Sequence, residues 1–140
     1  MVCLRVATRL ALATISTCLL ACQGQRTFTE PLTLGGKRIA AETLNQGEFA
    51  YMRYCRSCHG QKGDGKGSHS RHLKPPAANL QVGRFKYKST PGDQLPSDAD
   101  LRQVIQKGIP NTAMRPWNIP EPELGALVHY IKTLSPKWRQ

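Results

Sequence analysis

The 140-residue chain is short of acid: 9 Asp and Glu face 20 Lys and Arg, for a net charge of +11. It also lacks an apolar run long enough to cross a bilayer as a helix of the mature protein. It has no internal repeat and no low-complexity block, which excludes solenoids and biased-composition tails. Alternating strand patterns are nearly absent, so a βαβ sheet is not expected. What remains has room for one small domain and a tail. A domain of roughly 100 residues buries only a modest share of its surface, so an inserted cofactor could form a large part of its core.

Residues 1–21 read as an export signal and are set apart from fold reasoning. Arg5 and Arg9 open it, and a mainly apolar and small stretch runs from Leu10 to Leu20. The end, Leu19-Leu20-Ala21-Cys22, resembles bacterial lipoprotein signals. That resemblance implies cleavage before Cys22 and acylation of Cys22; the alternative is an ordinary secretory signal with Cys22 incidental. Several acyl chains would anchor stably, at ~0.8 kcal/mol per buried methylene. Gln23, in place of Asp, resembles lipoproteins sorted to the outer membrane. The expected location is the periplasmic side of a bacterial membrane.

Cys3 and Cys18 leave with such a signal, and Cys22 carries lipid. Only Cys55 and Cys58 remain, so nothing is left for a structural disulfide except a bond between those two. The signal also removes two of the 20 basic residues and no acid, leaving 18 basic, 9 acidic and a net charge of +9. An exported protein meets little nucleic acid, so none is expected as a partner. The positive surface points to redox partner proteins with acidic docking surfaces, or to anionic headgroups.

Residues 22–40 show no sustained period and contain Pro31 and Gly35-Gly36; they read as a flexible tether from Cys22. Residues 41–55 predict a helix with Leu44, Glu48, Tyr51 and Cys55 near one face, interrupted by Gly47. Residues 60–80 read as loop, with Gly60, Gly63, Gly65, Gly67 and then Pro75-Pro76. Residues 84–90 alternate basic and aromatic and suggest a short extended piece. A second helix starts at Ser97, a capping residue followed by Asp98 and Asp100 in the first turn, and Gly108 stops it. A Pro-rich loop, 109–120, carries Met114 and Trp117. A third helix runs from about Pro122 to Leu134, with Leu124, Leu127, Val128, Ile131 and Leu134 as its apolar stripe. Three helices joined by such long loops need something to fill the space between them.

The chemistry concentrates in Cys55-Arg56-Ser57-Cys58-His59. A zinc site would need a fourth ligand, such as His69 or His72, and has no use for a histidine adjoining the second cysteine. A redox dithiol wants the motif at a helix N-terminus in a βαβ setting, but here it follows a helical stretch. Cysteines three apart present two sulfurs to the vinyl groups on one edge of a porphyrin, and the next imidazole reaches the iron. On the other side of the iron, Met1 is lost with the signal, and Met52 shares the helix of Cys55 and cannot swing around. Met114, in a loop 55 residues after His59, is the expected second axial ligand. His69, His72 and His129 are the competitors.

Residues 41–135 resemble the single-haem class I cytochrome c domains. The resemblance is carried by Gly47, Tyr51, the Cys55–Gly60 motif, Gly63-Asp64-Gly65, Pro75-Pro76, the stretch from Gly108 to Met114 and the closing helix with Tyr130. It implies an all-α class I cytochrome c fold over residues 41–140, three main helices wrapped around one covalently attached haem c. It implies that the first and last helices cross at Gly47. It also implies that the backbone carbonyl of Pro75 or Pro76 accepts the second nitrogen of His59. Trp117 would sit beside a propionate or fill core. Arg84, Lys86 and Lys88 would neutralise propionates or rim a docking face. Many relatives carry proline directly after the methionine, whereas this chain has Arg115 and then Pro116.

The function so implied is single-electron transfer between proteins, with no small-molecule substrate and no bond chemistry of its own. The alternatives are a fixed haem subunit of a larger respiratory complex, or a haem protein that binds a ligand or peroxide at an open iron.

Overall fold

The computed structural model describes residues 27–139. A hairpin comes first: β1, Leu32–Leu34, pairs antiparallel with β2, Lys37–Ile39, in the register Leu32 to Ile39 and Leu34 to Lys37. Gly35 and Gly36 form the two-residue turn with φ of 57° and 76°, the doubly positive pair that matches strand twist. The described part of the expected tether is therefore folded. Leu34 is fully buried, Ile39 is buried, and the Gly35 N–H donates to the Trp138 carbonyl at 2.7 Å. Three-residue strands are too short to show a period, which is why the stretch reads as irregular. The export signal and Cys22 lie outside the described residues.

Helix α1, Ala41–Tyr54, and α2, Arg56–His59, follow with Cys55 as the joint. Helix α3, Asp98–Lys107, begins as expected. The Ser97 hydroxyl accepts the Asp100 N–H, and the Asp100 carboxylate accepts the Ser97 N–H, a reciprocal cap. Helix α4 is Glu123–Thr133, with a 3-10 turn, Pro136–Arg139, closing the chain. Residues 84–90 form no strand.

The core lies between α1 and α4. Leu44, Ala50 and Tyr51 meet Leu124, Leu127 and Val128, while Leu101 and Ile105 of α3 close one side. Each fully buried Leu contributes about 1.5–3 kcal/mol. Gly47 is the point of closest approach. A Cβ there would overlap the Ala126 carbonyl and lie 2.8 Å from the Tyr130 Cβ. The contact explains why a helix interior tolerates a residue that costs about 1 kcal/mol in propensity.

Opposite that contact, Lys132 of α4 is buried against the Asp98 carboxylate, with its ammonium 5.0 Å from the Trp138 ring centre. Among the described residues no helix is long and apolar enough to cross a membrane.

Candidate functional site

Helix α1 delivers the site at its C-terminal end. The Cys55 N–H still donates to Tyr51 at 2.9 Å, and the chain then tightens into α2, where the N–H groups of Cys58 and His59 both donate to the Cys55 carbonyl. Gly60, at φ 82°, ends that turn. Its carbonyl accepts the buried Tyr51 hydroxyl at 2.7 Å. Burial and the neighbouring Cys55 raise the Tyr51 phenol far above its ordinary value, so it stays a donor.

The glycine loop folds back over this turn. Gly65 N–H reaches the His59 carbonyl at 2.8 Å, Gly67 N–H the Cys58 carbonyl at 3.2 Å, and His69 N–H the Ser57 carbonyl at 2.9 Å. A Cβ on Gly67 would collide with the backbone of Arg56 and Ser57. The loop thus clamps the backbone of the motif. Cys55 and Cys58 are both half-buried free thiols.

The surroundings of those thiols bear on their possible uses. Burial pushes the Cys55 thiol up to about 12, and Cys58 adds to the shift. A reactive dithiol needs the opposite, a thiol lowered by a helix N-terminus or a cation. Zinc lacks a ligand set: among the described residues no three His, Cys, Asp or Glu side chains converge on a metal position.

His59 is held by its second nitrogen. Nδ1 lies 3.0 Å from the Ala78 carbonyl, which fixes the tautomer with the proton on Nδ1 and leaves Nε2 as the donor atom for a metal. The acceptor is thus Ala78, two residues beyond Pro76, and neither Pro75 nor Pro76; both prolines are exposed. Burial pushes the His59 imidazole below its ordinary value, against the opposing pull of the Ala78 bond. The neutral ring is the ligating form.

The Met114 loop is folded onto the end of α3. Gly108, at φ 67°, carries no Cβ where one would sit 2.8 Å from Arg115 and Pro116. Ile109 N–H donates to the Met114 carbonyl at 2.9 Å, and Thr112 Oγ1 accepts the Met114 N–H at 3.1 Å. Met114 is half-buried, with Arg115 and Pro116 exposed beside it. Trp117 N–H is anchored on the Ile105 carbonyl at 3.0 Å. Its ring meets Tyr54, the residue before Cys55, at 5.3 Å between centroids.

The other candidate residues have different surroundings. His69 and His72 are exposed, and His129 lies half-buried on α4, with a buried Nδ1 that lacks a partner. Lys88 is tied to the carbonyls of Thr90 and Gly92. Two contributors escape sequence reasoning: the Ala78 carbonyl, which no side chain advertises, and Tyr54, whose only signal is its place next to Cys55.

Two thiols one turn apart, a neutral imidazole with its outer nitrogen engaged, and a thioether on a pinned loop suit a covalently attached haem. Cys55 and Cys58 would hold the porphyrin edge, and His59 and Met114 the iron; such a group supplies reversible one-electron storage.

Helices with a small hairpin and this motif define a cytochrome c domain. The chain belongs to the family described as cytochrome c oxidase, cbb3-type, subunit III, whose model matches residues 42–131. Among solved structures, a chain of the reducing HAO-like protein complex of Kuenenia stuttgartiensis is 35% identical with a TM-score of 0.64. The match covers 68% of this chain and 44% of that one, so this chain spans less than half the length of its structural relative. No curated protein matches.

Proposed function

We propose that this protein is a membrane-tethered monohaem cytochrome c that carries single electrons between periplasmic or membrane redox partners. Cys55 and Cys58 hold one haem c, His59 and Met114 are its axial ligands, and lipidated Cys22 anchors the chain on the periplasmic side, with the outer membrane favoured by Gln23.

The observation that carries the reading is the bond from His59 Nδ1 to the Ala78 carbonyl. It orients the imidazole before any metal arrives, and it makes the ring a better donor. The clamped glycine loop limits how far the motif relaxes between oxidation states. Met114 and Trp117, both half-buried, would limit water access to a haem held there. The residues hold a geometry and tune a potential, and none of them attacks a substrate.

Spectroelectrochemical titration of the purified protein tests this reading: one reversible one-electron wave is expected. Carbon monoxide binding to the ferrous form without denaturant would instead indicate an open iron and a ligand- or peroxide-binding role. Cys22→Ser should move the protein to the soluble fraction; unchanged membrane association would refute lipid as the sole anchor.

A second reading is favoured by the family and the structural relative, described respectively as an oxidase subunit and a chain of a complex. In it, the domain is a fixed haem subunit of a larger respiratory complex. Co-purification from detergent with large membrane subunits would distinguish it from a free shuttle.

A further inference from the structure

A cavity of about 210 Å³ lies where the 83–94 loop meets the C-terminal 3-10 turn. Arg84, Lys86, Lys88 and Lys137 line it, with Asp93 as its sole acid. None of Cys55, Cys58, His59 and Met114 lines it.

The cations are gathered by the fold. Gly83, at φ 61°, brings the loop against the chain end; a Cβ there would lie 2.8 Å from Lys137 Cδ and 2.8 Å from Ser135 Oγ. The loop is stiffened from within. Lys88 Nζ bonds the Thr90 and Gly92 carbonyls at 2.6 and 2.8 Å, and Asp100 accepts the Ser89 N–H at 2.9 Å. Phe85 packs on the core as the loop's apolar anchor.

Among the described residues, the side chains of Arg84, Lys86 and Lys137 have no hydrogen-bond or ion-pair partner, and all three residues are exposed. Three like charges held around one hollow repel each other, and a bound anion reverses the sign of that interaction.

We propose that this cavity binds a phosphate group. Its volume falls below the roughly 300 Å³ at which organic-ligand pockets begin, so it takes one compact anion and not a nucleotide. The Arg84 guanidinium offers a fork for two phosphate oxygens, while Lys86 and Lys137 offer point charges from two chain segments. A tetrahedral, multiply charged group uses all three; a carboxylate has one charge and two oxygens. The phosphate has two sources, a free ion or the monoester headgroup of phosphatidic acid.

Calorimetry on the full-length haem-loaded protein tests the proposal with inorganic phosphate as probe and acetate as comparison. One phosphate per chain should bind, and acetate should not. Arg84→Gln and Lys137→Gln should each weaken phosphate binding about tenfold or more. Arg71→Gln, which removes an equal charge from the exposed 70–72 turn, should leave it unchanged. All three variants should keep the parent visible spectrum, which reports that they fold.

Vesicles distinguish the sources. Binding to vesicles containing phosphatidic acid, a phosphate monoester, over phosphatidylcholine alone that falls in Arg84→Gln and is competed by phosphate assigns a headgroup; vesicle binding insensitive to Arg84→Gln assigns the free ion. No phosphate binding, equal binding of acetate, or equal loss in all three variants would overturn the proposal.

Discussion

Tyr54 and Trp117 stand ring to ring, 5.3 Å apart at an interplanar angle of 61°, and join the residue before Cys55 to the residue three beyond Met114. The Arg53 guanidinium lies 5.1 Å from the Tyr54 ring centre on the same side chain stack. This contact ties the motif helix to the methionine loop, two segments that no backbone hydrogen bond joins directly among the described residues. Aromatic pairs contribute about 0.5–1.5 kcal/mol beyond buried area. A double-mutant cycle of Tyr54→Leu and Trp117→Leu, followed by denaturant unfolding, should return a coupling energy in that range. A coupling near zero would mean the two segments are held independently.

Met114→Ala should abolish the weak sulfur-to-iron absorption band and lower the reduction potential. The fall should be on the order of 0.1 V or more, within the roughly 0.8 V span that axial ligands cover. The variant should still carry haem, because attachment does not use Met114. An unchanged spectrum would transfer the role to another side chain, with His69, His72 and His129 the ones to test.

Gly47→Ala should destabilise by about 1–3 kcal/mol, although alanine is the better helix former. The added methyl overlaps the Ala126 carbonyl and forces α1 and α4 apart. Chemical denaturation of the haem-loaded protein measures it. A variant as stable as the parent would show that the helices do not touch at this residue.

Asp100 gives the cap of α3 a pH dependence with a definite sign. Bonds from the Ser97 and Ser89 N–H groups hold its carboxyl at about 2, against an ordinary 3.8, with burial opposing. A lowered folded value means stabilisation that is complete above the ordinary pKa and disappears as pH falls toward 2. The stability difference between the parent and Asp100→Asn should therefore be constant near neutral pH and shrink below about pH 4. A difference that grew on acidification would contradict the capping geometry.

The parts of the fold legible in the sequence were those written in local chemistry. Ser97 with Asp100 announces the start of α3, and the stripe from Leu124 to Ile131 announces α4. The Cys55–His59 spacing marks the candidate site. What escaped depends on distance along the chain. The Leu34 strand joins the core beside Trp138, at the other end, whose carbonyl receives the Gly35 N–H. Lys132 is tolerated in the core only because Asp98, 34 residues earlier, faces it. Ala78 accepts from His59 through a carbonyl every residue owns, and only the path of the glycine loop selects it. Loop paths of that kind follow from packing, and a resemblance that placed the acceptor at a proline missed it by two residues or more.

The central claim is covalent haem on Cys55 and Cys58. Its most direct test is the intact mass of the denatured protein, made in a host that matures c-type cytochromes. The account predicts a mature chain heavier by one haem, with the increment retained after unfolding and lost when both cysteines are replaced by alanine. A denatured chain at the mass of the bare polypeptide, with any colour left in the solvent, would contradict it.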